Sequence, residues 1–427
     1  MHKNVKITLT NYLQYSKTQE NTFIGVFFVI YLVCSVALTF FYATKGDAIL
    51  YWVYGQDMAW GYTDCPPLIG WVTHQFSIMF DNHIAIFGIL RTITSLLTAW
   101  ALYSFVRLFH EKRIALLVAI TWLITPATVH AFMTHWTYHS LTAMFWAWTL
   151  YAAYKTFISK KPIWFYITGL CLAGLIYSQY EGIFLILSLF LCATLFKPFR
   201  KLWRIKHTYF GILLLPFFLY LPHLWWLSQH HWGGITFLLS YHVSHGQKTW
   251  FHGSKSLIND LVVNYNLFFL IGLWLLWKNH RTICHIPKYA YLGICSGLIL
   301  VVYLLASVKI DINYFWIAPF YLGFLLLTAP LFIRLYPRMF YAVLLINFLL
   351  MAANTFNLTY KQWMPRITHT NLNYIVQKRC AQAMYDNMPE KQSVVICAKL
   401  YSPQKICNGK NVCNAPASYS TNWWRVF

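Results

Sequence analysis

Charge is what this chain has least of. Only 10% of its 427 residues are Asp, Glu, Lys or Arg, and only 11 of those are acids. A soluble domain carries about 25% charged residues, so a water-covered globular surface is excluded. Other signatures are missing too. There is no Walker loop and no dinucleotide fingerprint. There is no nucleophile elbow, which removes α/β-hydrolase chemistry. No internal repeat and no low-complexity segment is found.

Apolar and aromatic residues take the place of charge, at 59% and 19% of the chain. Runs near 23–43, 84–106, 114–133, 139–158, 163–178, 182–196, 208–228, 260–277, 289–306, 314–333 and 339–354 predict eleven membrane spans. The fifth and sixth are short and must tilt, extend or be partly re-entrant. The N-terminal stretch "MHKNVKITLTNYLQYSKTQENTF" is polar for too long to be a secretory signal, so the first span is expected to stay in the membrane.

The net charge of +22 follows from topology. With the N-terminus inside, the inside loops carry 19 Lys and Arg, and the outside loops before residue 354 carry 4. The positive-inside rule then puts the N-terminus in the cytoplasm, and an odd number of spans puts the C-terminus outside. The basic residues are scattered between apolar runs, so nucleic acid is not a partner. No cytoplasmic loop is large enough for a nucleotide-sugar domain. Chemistry is expected at the outer face, with a donor already in the membrane.

The predicted domains are a membrane domain over 1–354 and a small outer segment over 355–427. The outer segment holds Cys380, Cys397, Cys407 and Cys413. In an oxidising compartment these predict one or two disulfides, with three full pairings open. Their spacing is not that of a zinc ribbon.

The outer face also gathers acids. "GDAILYWVYGQDMAWGYTDCPPLIGW" places Asp47, Asp57 and Asp64 among Trp and Tyr. Asp47 reads either as a helix N-cap or as a base in partly apolar surroundings, where a raised pKa suits proton abstraction. Asp64 precedes two prolines and also reads as a turn residue. Glu181 is a lone carboxylate between two apolar runs, either a loop-tip residue or functional. Arg91 and Lys309 stand at the same outer level, as interface anchors or as phosphate contacts. A carboxylate and cations at an apolar cavity suit a lipid-linked phosphate donor. His223, His230, His231, His242, His245 and His252 raise a metal hypothesis. Their spacings give no helical His-x3-His pair, and ordinary polar interface residues are the favoured reading. The sequence names no cofactor, and a divalent metal is left open.

These motifs resemble those of the bacterial GT-C membrane glycosyltransferases related to protein O-mannosyltransferases and the lipid A aminoarabinose transferase. Asp47, Tyr51, Trp52, Gly61, Tyr62, Asp64, Pro66, Pro67 and Leu68 fall on the first-loop pattern of that group. Arg91, "LPHLWWLSQHHW" and "SVKIDINYFWIAPFY" follow in the family's order. The resemblance covers most of residues 23–330. It implies an all-α, GT-C-like bundle with interfacial helices at the outer face. It also implies an inverting transfer from a polyprenyl-phosphate sugar to a glycolipid, glycan or protein, at the periplasmic face of the inner membrane.

By position the resemblance makes Asp47 the base and Asp64 and Tyr62 substrate-positioning residues, with Arg91 and Lys309 as phosphate contacts. Three family charges are replaced: Ala48 follows Asp47, His139 stands for an Asp, and Gln179 for a Lys. Glu181 and His139 are the candidates to compensate. The replacements also motivate an alternative, a non-catalytic relative that binds or moves a lipid-linked sugar. An ion-coupled transporter is the weaker third reading, because the carboxylates concentrate in outer loops rather than at the midplane.

Overall fold

Proline sets the helix boundaries along this chain. It is the first residue of helices beginning at 126, 162, 287 and 337, and the second of those beginning at 197, 215 and 318. It costs nothing there, because the first N–H groups of a helix have no intrahelical partner. The computed structural model describes residues 25–27, 29–36, 38, 47–80, 85–132, 136–236, 252–284, 286–308, 312 and 315–366. Among these there is no strand.

The first half runs α1 (Gly25–Val36), α2 (Asp47–Tyr54), α3 (Leu68–Met79), α4 (Ala85–Val106), α5 (Lys112–Ile124), α6 (Pro126–Phe132), α7 (Tyr138–Ser159) and α8 (Pro162–Ser178). Then come α9 (Gly182–Leu195), α10 (Lys197–Arg200), a 3-10 turn (Lys201–Arg204) and a π-helix (Thr208–Leu214). The chain continues with α11 (Leu215–Gln229), α12 (His252–Cys284), α13 (Pro287–Ala306), α14 (Ala318–Leu335) and α15 (Pro337–Arg366). It divides into two units, 1–363 and 364–427. The four tail cysteines lie outside the described residues.

Six described helices are long and apolar enough to cross a membrane, or seven if the bent pair α9 and 197–204 counts as one span. Eleven runs were expected, and the difference has physical causes. The run at 114–133 is two helices, because Thr125 is extended before Pro126. A residue before proline is pushed out of the helical region. α8 is only 17 residues long, and the chain bends by 96° after α9. α7 has 22 residues but is rich in buried Thr and Ser. It packs against α4, α8 and α14 rather than facing lipid.

α14 lies at the centre, 83% buried over its apolar window, against α5, α7, α12 and α13. α11 is peripheral, at 28%. α12 kinks at Asn266, whose φ is +43°. The Asn266 amide donates to Asn347 Oδ1 at 2.6 Å, and the Asn347 amide donates to the Val343 carbonyl at 2.8 Å. In apolar surroundings this relay, from Asn266 to Asn347 and from Asn347 to a backbone carbonyl, avoids the cost of unpaired polar groups.

Candidate functional site in the first loop and its partners

The described part of α2 is buried, and the loop after it is buried at Gly55, Gly61, Tyr62, Cys65, Pro66 and Pro67 but exposed at Asp57, Met58 and Trp60, although the sequence suggested short helices lying on the outer surface. Leu50, Tyr51, Trp52, Val53 and Tyr54 are each 5% exposed or less. Asp57 faces solvent. A buried carbonyl needs a donor, and here side chains from α3, from α11 and from the loop itself donate to the loop's carbonyls. Tyr62 Oη lies 2.9 Å from the Tyr54 carbonyl and 2.8 Å from that of Asp57. His74 Nδ1–H donates to Gly55 at 2.6 Å, and Trp71 Nε1–H to Ala59 at 2.7 Å. His223 Nδ1–H, from α11, donates to Trp60 at 2.6 Å.

A carbonyl only accepts, so the His223 proton is fixed on Nδ1. Its Nε2 is left to accept from Tyr180 Oη, 3.3 Å away. One histidine of the predicted cluster is thus a clamp on the first loop. His230 bonds the Trp226 carbonyl of its own helix. The side chains of His242, His245 and His252 lie outside the described residues. Among the described residues no group of three His, Cys, Asp or Glu is placed to hold a metal.

Two glycines allow the loop to close. A Cβ at Gly70 would stand 2.1 Å from Tyr62 Oη, and one at Gly61 would stand 2.3 Å from the Trp226 ring. The Tyr54 and Tyr62 rings stack at 4.2 Å and 14°. Tyr54 Oη donates to Asp64 Oδ1 at 2.6 Å, a short charge-assisted bond. Burial first, and then the Asp64 charge, hold the Tyr54 hydroxyl well above its usual pKa, so it remains a donor. Asp64 is therefore held by its neighbours rather than left as a plain turn residue, and Tyr62 orders the backbone on either side of it.

A second group adjoins the first. Tyr138 meets Tyr51 edge-on at 5.8 Å and His139 at 4.4 Å. His139, 8% exposed, stacks on Phe315 at 5.8 Å and 12°. Gln179 accepts from Thr142 Oγ1 at 3.2 Å. Glu181 opens α9. Part of the residue reaches the surface, but its Oε2 is sealed and makes no hydrogen bond among the described residues. Burial pushes the Glu181 carboxyl up to about 8, and the nearby Tyr303 hydroxyl opposes this. The two stand within electrostatic range but short of good hydrogen-bond geometry. Tyr303 also feels Tyr138, and Tyr180 feels Asp64.

The structure thus brings Asp64, Tyr62 and His139 into one chain of contacts through Tyr54, Tyr51 and Tyr138, with Glu181 and Tyr303 within electrostatic range of it. Asp47 is the first residue of α2, one turn before Tyr51. Its side chain, like all of Lys309, lies outside the described residues. Arg91 is 3% exposed in α4, and its charge acts on Tyr31 of α1. Sequence reasoning missed Tyr54, Tyr180 and Tyr303. A tyrosine rarely stands out in a chain with 30 of them. Tyr303 carried one signal, a hydroxyl one turn from the C-terminal end of α13 in the apolar stretch "LILVVYLLA".

The helical bundle has the GT-C fold of membrane glycosyltransferases. Residues 64–226 match the dolichyl-phosphate-mannose-protein mannosyltransferase family. The fold is that of ArnT from Cupriavidus metallidurans. Its crystal structure bound to undecaprenyl phosphate matches at TM-score 0.62 and 16% identity, over 89% of this chain and 70% of that one. Its apo structure matches at 0.60 and 16%, over 90% and 72%. No curated protein matches the chain by sequence.

Proposed function

We propose that the protein is a glycosyltransferase of the inner membrane that takes a sugar from a polyprenyl phosphate at the periplasmic face. The observation that carries this reading is the partly buried first loop, with Asp64 held by Tyr54, at one end of the segment matching the mannosyltransferase family. The fold shared with a protein crystallised with undecaprenyl phosphate supports a donor of that kind. The N-terminus is cytoplasmic and the C-terminal segment periplasmic in this reading, from the distribution of basic residues.

Asp47 is the base. Its carboxylate takes the proton of an acceptor hydroxyl on a glycolipid, glycan or protein. The acceptor oxygen attacks the anomeric carbon opposite the phosphate. The bond from that carbon to the phosphate oxygen breaks, the electron pair leaves with the polyprenyl phosphate, and the anomeric centre inverts. The Asp64–Tyr54–Tyr62 unit positions substrate. Arg91 and Lys309 neutralise the phosphate.

Glu181 and His139 act where the family's Lys and Asp are absent. A carboxyl with its pKa near 8 is protonated at neutral pH. It then donates a hydrogen bond and adds no negative charge beside a phosphate. The test is mass spectrometry of surface glycolipids, glycans and glycoproteins from cells with and without the gene. One sugar-sized mass lost from one class of molecule on deletion is the expected result. Identical profiles, in cells shown to express the protein, contradict it.

A further inference from the structure

α9 carries Glu181 at one end and five cations beyond the other. Lys197, Arg200, Lys201, Arg204 and Lys206 fall within ten residues, and no Asp or Glu occurs between Glu181 and Asp260. Arg200 is engaged, its Nε–H donating to the Thr194 carbonyl at 3.0 Å. Lys201, Arg204 and Lys206 are exposed.

Beside this cluster lies a cavity of about 260 Å³ between α8, α9, the π-helix and α11. Its walls are almost wholly apolar. Phe190, Leu213 and Phe217 stand half-exposed at its edge. Leu202 and Trp203 belong both to the basic turn and to the wall. Trp203 donates its indole N–H to the Ala193 carbonyl at 3.1 Å, which leaves its ring face to the cavity.

The π-helix is part of the wall, and its cause is local. Pro216 has no N–H to return to Ile212, so the regular ladder cannot continue backward from α11. A π-turn is rare and recurs at functional sites. α8 approaches this turn so closely that a Cβ on Gly169 would stand 1.9 Å from the Gly211 carbonyl oxygen.

We propose that this groove binds one anionic glycerophospholipid, with an acyl chain in the groove and its phosphate at Lys201, Arg204 and Lys206. Charge decides the headgroup class, because three exposed cations in a stretch without an Asp or Glu from 182 to 259 favour an anionic lipid over a zwitterionic one. The position decides against the sugar donor. The 14 residues of α9 place the basic turn about 21 Å from Glu181, about two-thirds of the thickness of the hydrocarbon core. A donor reacting at the Glu181 end cannot also hold its phosphate here. The lipid belongs to the leaflet facing the basic turn; the groove runs on to Tyr220, which packs against His223, but the phosphate site stands apart from the proposed transfer reaction.

The test is native mass spectrometry of the full chain in detergent, titrated with phosphatidylglycerol, phosphatidylcholine and undecaprenyl phosphate. Phosphatidylglycerol is expected to bind as a single adduct, at least about tenfold tighter than phosphatidylcholine. A Lys201→Gln, Arg204→Gln, Lys206→Gln triple variant should bring it down to the phosphatidylcholine level, since each cation is worth roughly fivefold. Ala193→Phe fills the groove, and Leu213→Trp narrows it from an exposed position if the first variant folds poorly. Either should weaken both phospholipids. Undecaprenyl phosphate should add to the phosphatidylglycerol complex. Phosphatidylglycerol binding that survives the triple variant, or that is untouched by the groove variants, overturns the proposal. One-for-one displacement by undecaprenyl phosphate also overturns it, by putting the polyprenyl chain in the groove.

Discussion

The Glu181 carboxyl is where single-residue chemistry makes its clearest demand. Its folded pKa stands near 8 against an ordinary 4.5. The stability associated with its neutral form is therefore complete below about pH 4.5 and is lost as pH rises to about 8. Thermal unfolding between those values should show a fall in stability with pH that Glu181→Gln removes. Transfer should also decline as pH rises through 8, because a charged Glu181 repels the donor phosphate, and Glu181→Gln should remove that limb. A decline that persists in the Gln variant assigns it to another group. Tyr54→Phe is a second test. It strips Asp64 Oδ1 of its 2.6 Å donor and should cost about 1.5–3 kcal/mol in stability, as for hydrogen bonds to charged groups. An unchanged melting temperature contradicts this part of the account. At this scale the sequence identified the rare residues, acids and histidines in an apolar chain. It did not identify their partners, which are tyrosines and backbone carbonyls brought in from α7, α8, α11 and α13. Gly61 was legible as a motif position and Gly70 was not, and the ring and hydroxyl that exclude a Cβ at the two sites come from folding.

Helix ends were more legible than helix roles. Pro126, Pro162, Pro287 and Pro337 announce their boundaries, and the short fifth and sixth runs became a 17-residue helix and a bent pair. The kink at Asn266 was not legible, because it depends on Asn347 lying opposite it, 81 residues later. The same limit applies to the π-helix, whose contact with α8 is backbone against backbone. Gly169→Ala should therefore destabilise by about 1–3 kcal/mol or more, as overpacking against a rigid carbonyl does. Gly293→Ala, in α13 with nothing within 4 Å of its Cβ, should instead be neutral or stabilising by up to about 1 kcal/mol. Thermal unfolding of the two variants side by side checks the packing. Equal effects would show that the α8 contact is not tight.

For the molecule as a whole, composition indicated a membrane protein, and the order of motifs indicated the GT-C architecture that the fold shows. The reaction and the orientation are the proposal. The orientation predicts that Cys380, Cys397, Cys407 and Cys413 are oxidised. In denatured protein they should resist thiol labelling until reductant is added, and free labelling without reductant refutes the disulfides. The reaction itself is tested most directly by turnover of a polyprenyl-phosphate sugar by purified protein and by its Asp47→Asn variant. The account predicts sugar transfer by the native protein and a loss of ~10²–10⁴-fold in the variant, the range of a general base, with the variant still folded and inserted. Near-native turnover by Asp47→Asn would contradict it.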